Sequence, residues 1–212
     1  MRISYAITVC NELEEIKKLI PHLLQHKREE DEIIVLLDTG KSETDSNVIL
    51  VWEYLSNLST AGKITLWDSS FNNDFASWKN TFYTVSRGDY IFQIDADEIP
   101  SQNLIENLPS LLESNPEVDL YWVPRENYVK NITPFHLQKW GWNQDNNGRI
   151  NYPDFQTRIY RNSENIQWEG KVHERIVGFR TYSSLPINSD WDLLHIKSLE
   201  RQEKQNNYYN TL

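Results

Sequence analysis

The stretch Tyr90–Pro100, YIFQIDADEIP, decides how this chain is read. An apolar run breaks into Asp95, Ala96, Asp97 and Glu98 where a buried strand should end. Side chains two apart in an extended chain point the same way, so Asp95 and Asp97 aim at one point while Ala96 turns back toward the core. Two ionised carboxylates held there without a cation would repel each other and lose hydration, or one would protonate. The pattern predicts a divalent-metal site. The alternative is a solvated strand-to-loop turn, where Asp is common.

Before this stretch the chain alternates between strand and helix patterns. Arg2–Cys10 reads as a strand with Cys10 packed in the core. A helix capped by Asn11 follows, with Leu13, Ile16, Ile20, Leu23 and Leu24 on one face and Pro21 expected to kink or split it. Glu32–Leu37 is a second apolar strand, ending in Asp38 and the turn Thr39, Gly40, Lys41. Thr44–Leu58 carries Val48, Val51, Trp52 and Leu55 at helical spacing; a strand at Lys63–Trp67 and a helix over Asp74–Ser86 come next. Strands without polar alternation, separated by helices, predict a parallel sheet covered on both faces, with ligands beyond the strands' carboxyl ends. Thr8, Asp38, Asp68 and Asp95 all fall at such ends, so four segments bring polar groups to one rim.

Past Pro100 a helix over Ser101–Glu113 leads to a strand at Val118–Pro124. Glu126–Ile150 is polar and aromatic without clear periodicity, which predicts a lid or binding loop. Short β pieces follow at Phe155–Tyr160, Ile166–Trp168, Lys171–Val177 and Trp191–Ile196, then a polar helix over Ser198–Tyr209. The reading is one domain over residues 1–212, with a nucleotide-binding half (1–100) and an acceptor-facing half (101–212).

Net charge is 21 − 31 = −10, which argues against nucleic acid as a partner. A diphosphate ligand would need a metal ion to supply positive charge. No apolar run approaches the length of a membrane span and no signal peptide is visible, so the expected location is the cytoplasm. One cysteine excludes an internal disulfide. Eight Trp and eleven Tyr exceed what a core of this size needs, and such rings stack on the apolar faces of sugars. Trp140, Trp142 and Trp168 are candidates for that role.

Several blocks together resemble a family-two glycosyltransferase of the GT-A fold, over nearly the whole chain. They are ITVCNELEEI from Ile7, LLDTGKSETD from Leu36, DFASWKN from Asp74 and GDYIFQIDADE from Gly88. DFQTRIYRN from Asp154, GKVHERI from Gly170 and LLHIKSLERQEK from Leu193 resemble one bacterial and viral branch of that family, including a chlorovirus domain that opens a longer protein. The resemblance implies an α/β fold: a Rossmann-like, mostly parallel sheet flanked by helices, with a smaller β-rich half on the acceptor side. It also implies transfer of a sugar from a nucleotide sugar, UDP-glucose by default, to a hydroxyl of a glycan or glycoprotein, with inversion. Further domains could follow C-terminally in a longer protein.

Carried over position by position, Thr8, Asp38 and Lys79 would contact the nucleotide. Asp95 would sit near the ribose or the metal, and Asp97 would ligate Mn²⁺ or Mg²⁺. His195, or else His173, would complete the metal shell. Lys79 stands where Arg is commoner, the turn after Asp38 is longer than usual, and the family's acidic pair before a late helix is missing. The base that takes the acceptor's proton is therefore open between Glu174 and Asp154. Either could instead be structural, Asp154 as a turn residue after Pro153 and Glu174 as a partner for Arg158 or Arg175. Outside this family, a haloacid-dehalogenase-type phosphatase also places Asp-x-Asp after an apolar strand, and a non-catalytic carbohydrate-binding module would also use the aromatics. A nucleotidyltransferase would need a Gly-rich, basic phosphate loop that is not visible near the N-terminus.

Overall fold

The computed structural model describes residues 1–40, 43–171 and 174–209. In chain order the first elements are β1 (Ile3–Val9), α1 (Leu13–His26), β2 (Glu32–Asp38), α2 (Ser46–Thr60), β3 (Thr65–Ser69), α3 (Phe75–Val85) and β4 (Tyr90–Asp95). Next come β5 (Glu98–Pro100), α4 (Gln102–Ser114), β6 (Leu120–Val123), β7 (Arg125–Lys130), α5 (Pro134–Trp140) and β8 (Gln156–Arg161). The chain closes with β9 (Gln167–Glu169), β10 (Arg175–Val177), β11 (Tyr182–Ser184), β12 (Leu193–Ser198) and α6 (Leu199–Tyr209).

Seven strands form the main sheet in the order β11-β6-β8-β4-β1-β2-β3. β3, β2, β1 and β4 are parallel, whereas β8 enters antiparallel between β4 and β6. The side-chain alternation explains why the strands read as continuous apolar runs. Ile3, Tyr5, Ile7 and Val9 face a core shared with Ile16, Leu19, Ile20 and Leu23 of α1, Val51 and Leu55 of α2, and Leu104 and Leu108 of α4. Ala6, Ile34, Leu36 and Ile91 face the opposite core, with Ala76 and Phe82 of α3 and with Trp168 and Ile176 of the β9–β10 hairpin. Both faces are buried, so neither demands polar residues. Gly88 lets β4 start hard against β1, since a Cβ there would lie 2.6 Å from the Ser4 nitrogen.

Side-chain caps set the starts of three helices. Asp45 accepts from the Asn47 amide at 3.0 Å, Asp74 from Ser77 at 3.0 Å and Ser101 from Leu104 at 3.1 Å. α1 is different: its cap position is Glu12, not Asn11, and the Glu12 carboxylate folds back onto the amides of Cys10 and Asn11. Pro21 does not split α1, which runs unbroken over Leu13–His26; it sits exposed, where water can satisfy the carbonyl that its missing N–H leaves. Trp52 also departs from expectation: it is 47% exposed, on the outer side of α2. Cys10 lies one residue past β1 and is only half-buried.

The stretch 126–150 holds more regular structure than its sequence suggests. Its first part belongs to β7, which pairs in parallel with β12 along Arg125–Lys130, and α5 follows. β5, β12 and β7 form a second, three-stranded sheet. Because β5 begins three residues after β4 ends, the Asp95–Glu98 corner joins the two sheets. Among the described residues no helix is long and apolar enough to cross a membrane.

Candidate active site

Parallel strands place Thr8, Asp38, Asp68 and Asp95 on one rim, with Thr8 opposite Asp95 in the β1–β4 register. Beside that rim opens a cavity of about 500 Å³, lined on one side by Lys79, Asp95 and Asp97 and on the other by Arg125, Asn127, Asp154, Glu174, His195 and Lys197. The strand direction explains the meeting. β8 runs opposite to β4, so the start of β8 meets the end of β4.

A buried guanidinium organises the corner. Arg158 donates from Nε to Glu98 Oε2 at 3.0 Å, from Nη1 to Gln93 Oε1 at 2.8 Å, and from Nη2 to Asp95 Oδ2 at 2.6 Å and Glu98 Oε1 at 2.7 Å. Burial disfavours its charge, but Asp95 and Glu98 outweigh that and keep it firmly protonated. Arg125 shares Glu98 from the other side at 2.8 Å and grips Asp154 Oδ2 at 2.6 Å. Asp95 is thus fully engaged: Oδ1 accepts from Gln93 at 2.9 Å and Thr8 at 3.2 Å, and Oδ2 from Arg158. Burial alone would raise Asp95, yet the charges of Arg158 and Lys79 hold it well below the ordinary carboxylate range.

Asp97 meets a different set. Its Oδ2 lies 3.4 Å from His195 Nε2, 3.5 Å from Lys197 Nζ and 3.6 Å from Arg201 Nη2. Burial pushes it up, but His195 first and then Lys197 and Arg201 hold it far below the usual range. His195 Nδ1 lies 2.6 Å from Asn127 Oδ1, and Asn127 Nδ2 donates to Asp154 Oδ2 at 2.8 Å, which fixes the amide's orientation. Nδ1 therefore carries a proton, which leaves Nε2 as the ring nitrogen that faces Asp97. Asp97 Oδ2 thus stands among His195 Nε2, Lys197 and Arg201, and a metal ion would bind there by taking the place of the proton between Asp97 and His195. A carboxylate oxygen suits Mn²⁺ or Mg²⁺, and an imidazole nitrogen beside it favours the softer Mn²⁺ of the two. So Asp97 and His195 fit a metal, whereas Asp95, with both oxygens bonded within the protein, fits support of that site better than direct ligation. Among the described residues no group of three or more His, Cys, Asp or Glu is arranged to hold an ion. His173 lies outside the described residues, as do Lys41 and Ser42 of the turn after Asp38.

The other expected residues separate by surroundings. Lys79 is 5% exposed; its ammonium sits 2.7 Å from Glu174 Oε1 and 4.5 Å above the Trp168 ring. Glu174 thus partners Lys79, while Arg158 partners Asp95 and Glu98. Asp154 is clasped on both oxygens, by Arg125 and Asn127 on Oδ2 and by Gln156 on Oδ1 at 2.8 Å. Burial raises it, but the Arg125 charge and these hydrogen bonds bring it below its ordinary range, which makes it a poor proton acceptor. Asp38 Oδ1 accepts from the amides of Gly40 and Phe71, both at 2.9 Å, and so ties the loops after β2 and β3 together. Neither Asp38 nor Thr8 lines the cavity itself. Trp142 does, with its ring 4.8 Å from that of Trp140. Trp168 is 4% exposed and donates to Tyr160, so it supports Lys79 and leaves little surface for stacking. Sequence reasoning did not find Glu98, Gln93, Arg125, Asn127, Lys197 and Arg201 as site residues. The available signal was charge on inward positions of apolar strands, as at Arg158 in QTRIYR.

A family model described as glycosyl transferase family 2 matches residues 4–188. The chain belongs to glycosyl transferase family 2. Among solved structures, this family-two chain is similar to S. aureus TarS 1–349 in complex with UDP-GlcNAc, at TM-score 0.61 and 17% identity over 93% of this chain and 59% of that one. It is also similar to TarS 1–349 in complex with UDP, at TM-score 0.60 and 16% identity over 96% and 63% of the two chains. At such identity the likeness establishes the shared fold, the GT-A arrangement. The chain spans 59% to 63% of those TarS chains and 38% of a longer TarS structure. No curated protein matches the sequence.

Proposed function

We propose that this chain transfers a sugar from a uridine diphosphate sugar to a hydroxyl of a glycan or glycoprotein, with inversion at the anomeric carbon. The observation that carries the reading is the pairing, in one cavity, of the facing Asp97 and His195 with the Lys79–Glu174 ion pair. The first pair suits a cation on a diphosphate; the second sets a carboxylate beside the place where an acceptor would arrive. The TarS complexes, which hold UDP and UDP-GlcNAc on a similar fold, support the choice of uridine. They also put N-acetylglucosamine beside glucose as a donor sugar to test.

Asp97 and His195 would hold the metal, which when bound would neutralise the departing diphosphate. Arg158 keeps Asp95 ionised and fixed, and Asp154 acts through Asn127 to orient His195. Glu174, rather than the clasped Asp154, takes the acceptor's proton. Lys79 holds one Glu174 oxygen in place and keeps its own charge near the nucleotide.

Calorimetric titration of UDP with Mn²⁺ and then with EDTA tests this, with Asp97→Ala and with CDP and GDP as controls. Metal-dependent UDP binding that is lost in Asp97→Ala is expected. UDP binding indifferent to both changes would remove the metal role, and failure of all three nucleotides would remove the transferase reading.

A further inference from the structure

Next to this cavity lies a second, of about 600 Å³. Trp122 of β6, Phe155 just before β8 and Phe179 just after β10 turn aromatic surface into it. Gln156, Thr157 and Glu174 line both spaces, so the two cavities meet at the carboxylate that pairs with Lys79. The aromatic wall is fixed by the fold. Gly178 has φ +82°, and a Cβ there would stand 1.7 Å from the Asn165 carbonyl oxygen. Only glycine lets the chain turn against Asn165 and deliver Phe179 at that point. Phe179 then meets Tyr182 edge-on at 6.0 Å, and both Trp122 and Phe179 pack against the buried cluster under α3.

We propose that this second cavity binds the acceptor, and that the acceptor presents a pyranose ring to it. The proposal rests on the transferase reading above. A pyranose combines an apolar C–H face with a rim of hydroxyls, and the lining offers both complements: the rings of Trp122, Phe155 and Phe179, and the polar groups of Gln156, Thr157, Glu174 and Arg175. An acyclic polyol or a peptide hydroxyl has no flat apolar face to set on Trp122 or Phe179. With the ring so placed, an acceptor hydroxyl points at the junction of the cavities. Its oxygen bonds to the anomeric carbon as its proton passes to Glu174. The bond from that carbon to the diphosphate oxygen breaks, and the electron pair leaves with the nucleotide.

Saturation-transfer NMR on the full chain tests the proposal, with methyl β-glucopyranoside, methyl β-galactopyranoside and the methyl glycoside of N-acetylglucosamine as probes and glycerol as the acyclic control. Spectra are taken under saturating UDP and Mn²⁺, and UDP affinity is measured on the same samples. At least one pyranoside should give ring-proton signals that persist with UDP bound, while glycerol gives none. Phe179→Ala and Trp122→Ala should weaken pyranoside binding about fivefold to tenfold with UDP affinity unchanged, and Phe179→Trp should retain it. The proposal is overturned if no pyranoside binds while UDP does, if UDP displaces the pyranosides, or if the alanine variants keep the full signal. It is equally overturned if they lose UDP and pyranoside together. Pyranoside binding to a wild-type chain that does not bind UDP would instead sink the transferase reading and the acceptor role with it, leaving a saccharide site.

Discussion

Replacing Arg158 with Met removes the cation that serves Asp95, Glu98 and Gln93 at once. Methionine fills much of the volume, so the loss is electrostatic. Glu98 is 0% exposed and would keep, beside the Asp95 amide at 3.2 Å, only one cation, Arg125, which it already shares with Asp154. Breaking a buried pair by removing one partner costs about 3–5 kcal/mol. For a chain of this size roughly 2–4 °C is lost per kcal/mol, so a cost of about 4 kcal/mol lowers Tm by roughly 8–16 °C. The deficit should depend on pH. In the wild type Asp95 is held low, so its stabilisation is present above the unfolded value and is lost only as pH falls through the depressed folded value. In the variant the stranded carboxyls rise above their unfolded values, and that penalty vanishes as they protonate. The gap between the two proteins should therefore be widest near neutral pH and narrow toward acid. Urea and thermal unfolding of wild type, Arg158→Met and Arg158→Met/Glu98→Gln would measure it, with the double variant recovering about 2 kcal/mol as the orphaned charge is removed. A loss under about 1 kcal/mol, or a double variant no more stable than the single, would refute the reasoning.

Four further outcomes follow from the same geometry. Glu174→Gln should lower kcat by about 10²–10⁴ while UDP affinity is kept or tightened, because Lys79 loses its anionic partner; a fall below about tenfold would exclude it as the base. Asn127→Ala should weaken Mn²⁺ binding by about 10–100-fold, read from the EPR signal of free Mn²⁺, since His195 loses the bond that orients it. Gly178→Ala should cost about 3 kcal/mol or more, from the clash with Asn165 and the positive φ, and wild-type stability would show that the turn is not needed. Burial pushes Asp192 up to about 6 against the opposing Tyr152 hydrogen bond, and its Oδ1 lacks a hydrogen-bond partner among the described residues. Its folded value lies above the unfolded one, so its contribution is fully present below about pH 4 and is lost as pH rises through about 6. Tm of Asp192→Asn relative to wild type should climb between about pH 4 and 6 and level off above, and a flat difference would contradict this.

The sheet was legible because its chemistry is local. β1, β2 and β4 are buried on both faces, so each announces itself as an apolar run and each carries a polar residue on the rim at its last or next-to-last position. The site's wiring was not, since it depends on register between distant segments. Arg158 occupies one face of a strand whose pairing with β4 cannot be counted from spacing, and spacing offered it only as one of two alternative partners for Glu174. Lys79 and Glu174 are 95 positions apart, and only the packing of the β9–β10 hairpin over α3 brings them together. Trp52 and Trp168 show the same limit for aromatics. One lies exposed on a helix that looked amphipathic through it, and the other lies buried under an ammonium group where sequence suggested a sugar platform.

The antiparallel entry of β8 also decides which parts of the protein are exchangeable. Val123 at the end of β6 faces Gln156 at the start of β8. Everything from 124 to 155 therefore leaves the main sheet and returns to it at the same spot, closed by the Arg125–Asp154 clasp. Lengthening such a closed excursion adds only a slowly growing entropy. Evolution, or a designer, can therefore rewrite residues 131–150 within it, α5 and the Trp140–Trp142 pair included, while β7 stays paired with β12 and the frame that carries Asp95, Asp97 and Lys79 stays as it is. A graft within that stretch that keeps β7 and the Arg125–Asp154 clasp is where this scaffold should accept new sequence without losing its frame.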